Sequence, residues 1–237
     1  AVGMTEPVVA FIDEGEDFIG LEDPDIWIDE KTDLMHLYFT IPIISKDKSK
    51  KEKAKIHLGH AVGHDLDSLE MTLPVLLGGG KFRAKEVSIA PVNKQGFRYN
   101  LIESKDRTTD TSYSVVQVAI VEDMGQPWEY GEIAFHPAEH NLAWIVGHAS
   151  PGPLFSKNFI DMGEGKLLGI INGCESSQKI GDKIKLGNFC IGLFIYDYEN
   201  GKIDWVSNSP FIIDSEAGKD SSRGITFASQ FVETGKG

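Results

Sequence analysis

Cysteine is almost absent from this chain. Cys174 and Cys190 are the only two in 237 residues, which excludes a small disulfide-framed fold. Both lie in apolar runs, the usual setting of buried free thiols, and that reading favours a reducing, cytoplasmic compartment. Long apolar runs are also missing: none approaches the roughly 18 residues that a membrane-spanning helix needs. The first residues show neither a basic start nor a long apolar stretch, so no signal peptide is read there. Positive charge is short, with 23 Lys and Arg against 36 Asp and Glu, a net charge of −13. That balance opposes nucleic acid or an anionic membrane as partner, whereas a neutral small molecule or sugar is compatible with it. No Gly-x-Ser-x-Gly nucleophile elbow is present. Gly78-Gly79-Gly80-Lys81 lacks the spacing of a phosphate loop and reads as a flexible turn. His57, His60 and His64 have no cysteine or carboxylate completing a familiar metal-ligand spacing. Neither a metal nor a cofactor is expected.

Helical periodicity is missing too, and what remains is β-pattern. Apolar residues come in short runs bounded by Gly, Pro, Asn or Asp. Strands are expected at 25–29, 34–40, 55–63 and 71–76; then at 84–92, 97–103, 113–121 and 132–136; then at 153–160, 167–172, 188–196 and 203–207, with a further group opening at 224–232. The groups start about 60–70 residues apart, near the length of a four-stranded propeller blade. Each also ends a strand in an acidic turn, as in Val118-Ala119-Ile120-Val121-Glu122-Asp123 before Trp128 and Leu193-Phe194-Ile195-Tyr196-Asp197 before Trp205. The reading is one domain over 1–237, with blade-like units at about 20–80, 81–145 and 150–215 and a partial one from 220. The lysine-rich run 46–53 and the polar run 216–223 read as solvated loops. Trp27, Trp128, Trp144 and Trp205 have the character of core residues more than of sugar-stacking platforms.

The stretch Gly20-Leu21-Glu22-Asp23-Pro24-Asp25-Ile26-Trp27-Ile28-Asp29 stands apart. Asp23-Pro24 starts a turn, because proline fixes its own φ and drives the preceding residue out of the helical region. A carboxylate cluster is thereby set where a loop enters a sheet. The turn resembles the Gly-x-Glu-Asp-Pro-Arg motif of glycoside hydrolase family 130, the mannoside phosphorylases and mannosidases, whose fold is a five-bladed β-propeller. Ala61-Val62-Gly63-His64-Asp65-Leu66, Lys85-Glu86, Ser150-Pro151-Gly152-Pro153, the strand Gly165 to Gly173, Ile191-Gly192-Leu193-Phe194-Ile195-Tyr196-Asp197 and Gly224-Ile225-Thr226-Phe227-Ala228-Ser229 resemble later motifs of that family, in order. The resemblance spans most of the chain. It implies an all-β, five-bladed β-propeller of four-stranded antiparallel blades, incomplete here, with a first blade and the end of the last one lacking.

Glycoside hydrolysis needs two carboxyl groups in different protonation states. Blade-opening carboxylates converge on a propeller's funnel, which selects Asp23 and Glu86. The resemblance implies that Asp23 is the general acid; likeness to the arabinanase-like propellers offers Glu86 for that role instead. Strand alternation places Asp23 and Asp25 on one face with Glu22 opposite, so Asp25 would tune its neighbour. Lys85 beside Glu86 favours a charged carboxylate. His148 and Ser150 are candidates to line the funnel. The phosphorylases' arginine is replaced here by Asp25, and an aspartate repels phosphate. Phosphorolysis is therefore disfavoured, leaving hydrolysis of an oligosaccharide or polysaccharide, or a non-catalytic carbohydrate-binding propeller. Oligomeric state is not legible.

Overall fold

The computed structural model describes residues 12–47, 49, 54–80, 82–106, 112–180, 183–185, 187–212, 224–232 and 234. Of the run 46–53 only Lys46, Asp47 and Ser49 are among them, and the run 216–223 lies outside. Lys46 Nζ sits 3.2 Å from an exposed Asp17 carboxylate. The described residues are all-β apart from a single 3-10 turn, Pro137–Glu139. The chain forms two compact units, 1–86 with 123–129, and 87–122 with 130–237.

Unit 1 is an antiparallel sheet built on β1 (Glu16–Phe18), β2 (Glu22–Asp29), β3 (Leu34–Ser45), β4 (Ala54–Gly63) and β5 (Glu70–Met71). The twelve-residue β3 pairs with β2 over its first half and with β1 over its end, so β1 and β2 share one edge; β4 and β5 follow on the other side. Asp29 and Asp33 close the β2–β3 hairpin, with Asp33 in the left-handed region (φ 56°) that aspartate tolerates in turns. The two faces of the sheet differ. Phe39, Ile41, Ile43 and Ala61 form an apolar cluster, whereas His36, Tyr38, Thr40 and His60 line the opposite face, all buried.

The second sheet contains β6 (Lys85–Ser88), β7 (Arg98–Asp106), β8 (Tyr113–Val121), β9 (Glu129–Phe135), β10 (His148–Leu154), β11 (Lys166–Cys174), β14 (Phe189–Asp197) and β15 (Lys202–Val206). A separate hairpin, β12 (Gln178–Ile180) and β13 (Lys183–Lys185), precedes β14. The order is β15-β14-β11-β10-β8-β7-β6, with β9 on β8. Two four-stranded antiparallel meanders, β6–β9 and β10–β11–β14–β15, are joined by a single parallel pairing of His148 with Ser114. The core of unit 2 runs through Leu101, Val116, Trp144, Ile145, Ile171 and Phe194. Trp144 packs against Gly173 and Gly192, where a Cβ would collide with its ring. Cys174 and Cys190 are buried free thiols, in keeping with the sequence.

Several expectations shift: the strand expected at 71–76 is only Glu70–Met71, and that at 84–92 only Lys85–Ser88. The strand expected at 153–160 begins at His148 and ends at Leu154. The Ser-Pro-Gly-Pro run is strand, because a bulge between Pro151 and Leu154 absorbs the missing donor. Among the described residues, 224–232 carry one bridge, Ile225 to Phe189. The side chain of Asn172 both donates to Ala228 O and accepts from Ala228 N, so this amide takes the place of a ladder partner.

Gly78 shows how tightly unit 1 is closed. Its amide donates to His57 Nδ1 at 2.9 Å, and a Cβ there would overlap the Ile56 carbonyl, which is backbone and has little freedom to move. Gly78→Ala is expected to cost roughly 1–3 kcal/mol or more by overpacking, read as a fall in urea midpoint. An unchanged midpoint would show that the 76–84 segment is loosely held.

Candidate functional site

Asp23-Pro24 interrupts β2. Proline has no N–H to give the ladder, and the register slips between Glu22, opposite Thr40, and Asp25, opposite Tyr38. Three residues of β2 thus span two of β3. The slip breaks the simple alternation that set Asp23 and Asp25 on one face against Glu22. Asp23 is pushed into the left-handed region at φ 50°, its side chain one-third exposed. Its Oδ2 lies 2.9 Å from Lys85 Nζ, and the Thr40 hydroxyl donates to the same oxygen at 3.5 Å. Glu86, next in the chain, is buried and also left-handed, at φ 49°. Lys85, expected to act on Glu86, therefore places its ammonium on Asp23.

Three non-glycine residues among those described have positive φ. Asp33 is explained by its hairpin. The other two are Asp23 and Glu86, the pair of candidate carboxylates. Left-handed backbone costs an aspartate little and a glutamate more, and such strain, of order 1–3 kcal/mol, collects at functional sites.

Asp25 is 5% exposed and stands in a cross-strand row with Tyr38 and His60. Beneath that row runs a hydrogen-bonded chain which the sequence did not suggest, since His36 lay outside the histidine cluster that drew attention. The Thr72 hydroxyl donates to Leu73 O at 2.8 Å and so accepts from His60 Nδ1 at 2.9 Å. His60 Nε2 is then an acceptor, and His36 Nδ1 donates to it at 2.9 Å. Tyr38 stacks on His60 at 5.0 Å and meets Trp128 at 5.3 Å, while Trp27 caps His36 at 5.1 Å. Burial pushes His60 down to about 4, and the neighbouring His36 pushes the same way. His57, on the opposite face, is lowered chiefly by burial and next by Lys55. Among the described residues no group of three or more His, Cys, Asp or Glu is arranged to hold a metal.

A cavity of about 340 Å³ lies beside the turn, lined by Leu37, Phe39, Ala61, Leu69 and Met71 with Glu22 and Asp67 as its polar groups. Its lining omits Asp23, Lys85 and Glu86. It opens on the apolar face of the sheet, on the side of Phe39 and Ala61. His148 and Ser150 belong to unit 2, on β10.

No family model and no curated relative matches the chain. Solved structures do. A provisional glycosidase from Bacteroides thetaiotaomicron aligns at 17% identity with a TM-score of 0.55, over 87% of this chain and 59% of its own length. The β-1,2-mannobiose phosphorylase of Listeria innocua, in complex with β-1,2-mannobiose, aligns at 10% identity and TM-score 0.49, over 87% and 81%. An endo-arabinase from Bacteroides thetaiotaomicron aligns at 15% identity and TM-score 0.44, over 83% and 82%. The chain thus spans 59% of the length of the first of these. That first likeness carries the fold alone: this chain has the fold of an incomplete β-propeller.

Proposed function

We propose that the protein is a glycoside hydrolase acting on an oligosaccharide or polysaccharide, with Asp23 and Glu86 as its carboxyl pair. The observation that carries this reading is backbone strain. Apart from the Asp33 turn, the left-handed non-glycine residues among those described are these two carboxylates, and the intervening Lys85 is ion-paired to the first. Hydrolysis of a glycoside requires one ionised carboxylate and one carboxylic acid. Held in an ion pair by Lys85, Asp23 enters as the charged member, which makes it the base or nucleophile and Glu86 the acid. This reverses the role that family resemblance implies for Asp23. Asp25 is buried, and a buried aspartate at the phosphorylases' arginine position speaks against phosphate as the attacking group. In this reading residues 1–237 form one propeller domain with carbohydrate as its ligand.

The test is a product assay on mannan-, arabinan- and glucan-derived disaccharides and on nitrophenyl glycosides, with and without inorganic phosphate. Release of reducing sugar independent of phosphate is expected. Formation of sugar phosphate would establish phosphorolysis instead. Binding of saccharide without any product across the panel would move the protein to the non-catalytic class.

A further inference from the structure

Two of the chain's eight asparagines precede glycine, in Asn172-Gly173 and Asn200-Gly201. That pairing carries its own chemistry. The backbone nitrogen of the following residue can attack the asparagine side-chain carbonyl and close a five-membered imide. Glycine, without a Cβ, leaves that approach open. The chain thus holds one reactive dipeptide in two settings, and the fold treats them differently.

Asn172 is fixed on both sides. It is 0% exposed, on β11 between β10 and β14. Its side-chain amide donates to Ala228 O at 3.0 Å and accepts from Ala228 N at 2.9 Å. Gly173 is paired with Ala149 and with Cys190, and the Trp144 and Ile145 side chains occupy the space where its Cβ would be. Neither the carbonyl nor the nitrogen can turn toward the other unless the sheet opens.

Asn200 is exposed in the short loop 198–201 that joins β14 to β15. Among the described residues its side chain makes one hydrogen bond, from Nδ2 to Asp197 Oδ2 at 2.8 Å. Its carbonyl oxygen is left to solvent. The loop itself is tight. Asp197 Oδ1 accepts from the Glu199 and Asn200 amides, both at 3.0 Å. Gly201 lies in the left-handed region at φ 66°, and a Cβ there would come within 3.2 Å of Tyr99 and Val118. The pairing of Asp197 with Lys202 and of Tyr196 with Ile203 follows from this loop.

We infer that Asn200 is a site of spontaneous deamidation that loosens the β14–β15 hairpin, and that the fold protects Asn172 from the same reaction. Gly201 N gives up its proton to hydroxide and attacks Asn200 Cγ. The N–Cγ bond forms, the Cγ–Nδ2 bond breaks, and Nδ2 leaves as ammonia with a proton from water. Water then opens the imide at one of its two carbonyls, leaving aspartate or isoaspartate. Aspartate replaces the Nδ2 donor with a second carboxylate beside Asp197, so a hydrogen bond becomes a like-charge contact. Isoaspartate routes the main chain through Cβ, one atom longer, in a loop whose length sets the strand register. Among the described strands β15 pairs with β14 alone, so no second neighbour holds it in place.

The full chain is incubated for days at mildly alkaline pH in H₂¹⁸O, native and in urea. Its peptides are read by mass spectrometry, and isoaspartate is counted by enzymatic methylation. In the native chain ¹⁸O is expected at position 200, entering faster as pH rises. Position 172 should react at least about tenfold more slowly, equivalent to about 1.4 kcal/mol of local opening. In urea the two rates should converge. Asn200→Gln should remove the native isoaspartate signal, because glutamine would have to close a larger ring. The β15 amides of converted protein should exchange hydrogen faster than those of fresh protein, and Asn200→Gln aged in the same way should show no such gain. An Asn200 that stays intact, or that converts no faster than Asn172, overturns the site. A rate ratio that survives in urea overturns protection by the fold, and unchanged exchange in converted protein overturns the loosening of the hairpin.

Discussion

Asp23→Asn is expected to lower kcat about 10³-fold while leaving the fold in place. Removing a general acid or base costs typically 10²–10⁴ in rate. The substitution is isosteric, and asparagine accepts the left-handed backbone at φ 50° as readily as aspartate does. The lost ion pair with Lys85 joins side chains 24% and 33% exposed, so its stabilising worth is about 0–1 kcal/mol. Activity and stability should therefore separate: a large fall in kcat beside a small change in Tm. Asp33→Asn is the control, since it shares the positive φ but serves only the hairpin. It should retain wild-type turnover on whichever substrate the panel reveals. If Asp23→Asn keeps activity within tenfold of wild type, the carboxyl pair is misassigned.

The second large effect is acid lability of unit 1. His60 has an unfolded value near 6.5 and a folded one of about 4. Above 6.5 it is neutral in both states and the full stabilisation is present. As pH falls from 6.5 towards 4, the unfolded chain takes up a proton that the folded chain refuses. Stability is lost over that window and levels off below it. At roughly 1.4 kcal/mol per pH unit, the loss is about 3 kcal/mol. His57 is lowered as well and acts in the same direction. Titrating carboxylates overlap this range, so the diagnostic quantity is a difference. Urea midpoints measured between pH 7 and 4 should fall less steeply in His60→Gln than in wild type. Equal slopes would mean that the His36–His60–Thr72 chain opens without protonation.

Some of this was legible in the chain itself. The runs 34–40, 55–63, 113–121 and 188–196 became β3, β4, β8 and β14 because period-two alternation with β-branched and aromatic residues has one stable outcome in a half-buried sheet. Glu-Asp-Pro was informative for a similar reason, since the donor missing from Pro24 forces an irregularity wherever the strand falls. Segments whose partners are distant in sequence were harder. Residues 148–152 fell outside the expected strands, with Pro151 and Gly152 the local signals against one, yet flanking strands hold them in the sheet. Residues 224–232 looked like a strand, but the Asn172 amide, 56 residues away, captures Ala228.

Composition and local pattern alone determined that the chain is all-β, acidic, poor in cysteine and punctuated by an aspartyl-prolyl break at Asp23. These follow from properties each residue carries wherever it lies: side-chain branching, a missing N–H, a charge. Which carboxylate Lys85 would meet was a different matter. In the chain it adjoins Glu86, and only the closing of β2 against its sheet set its ammonium 2.9 Å from Asp23, 62 positions earlier. The joining of His36 to His60 and of Glu103 to His148 was decided in the same way. Strand register sets side chains far apart in sequence within bonding distance, and register is a property of the folded sheet that no single strand specifies.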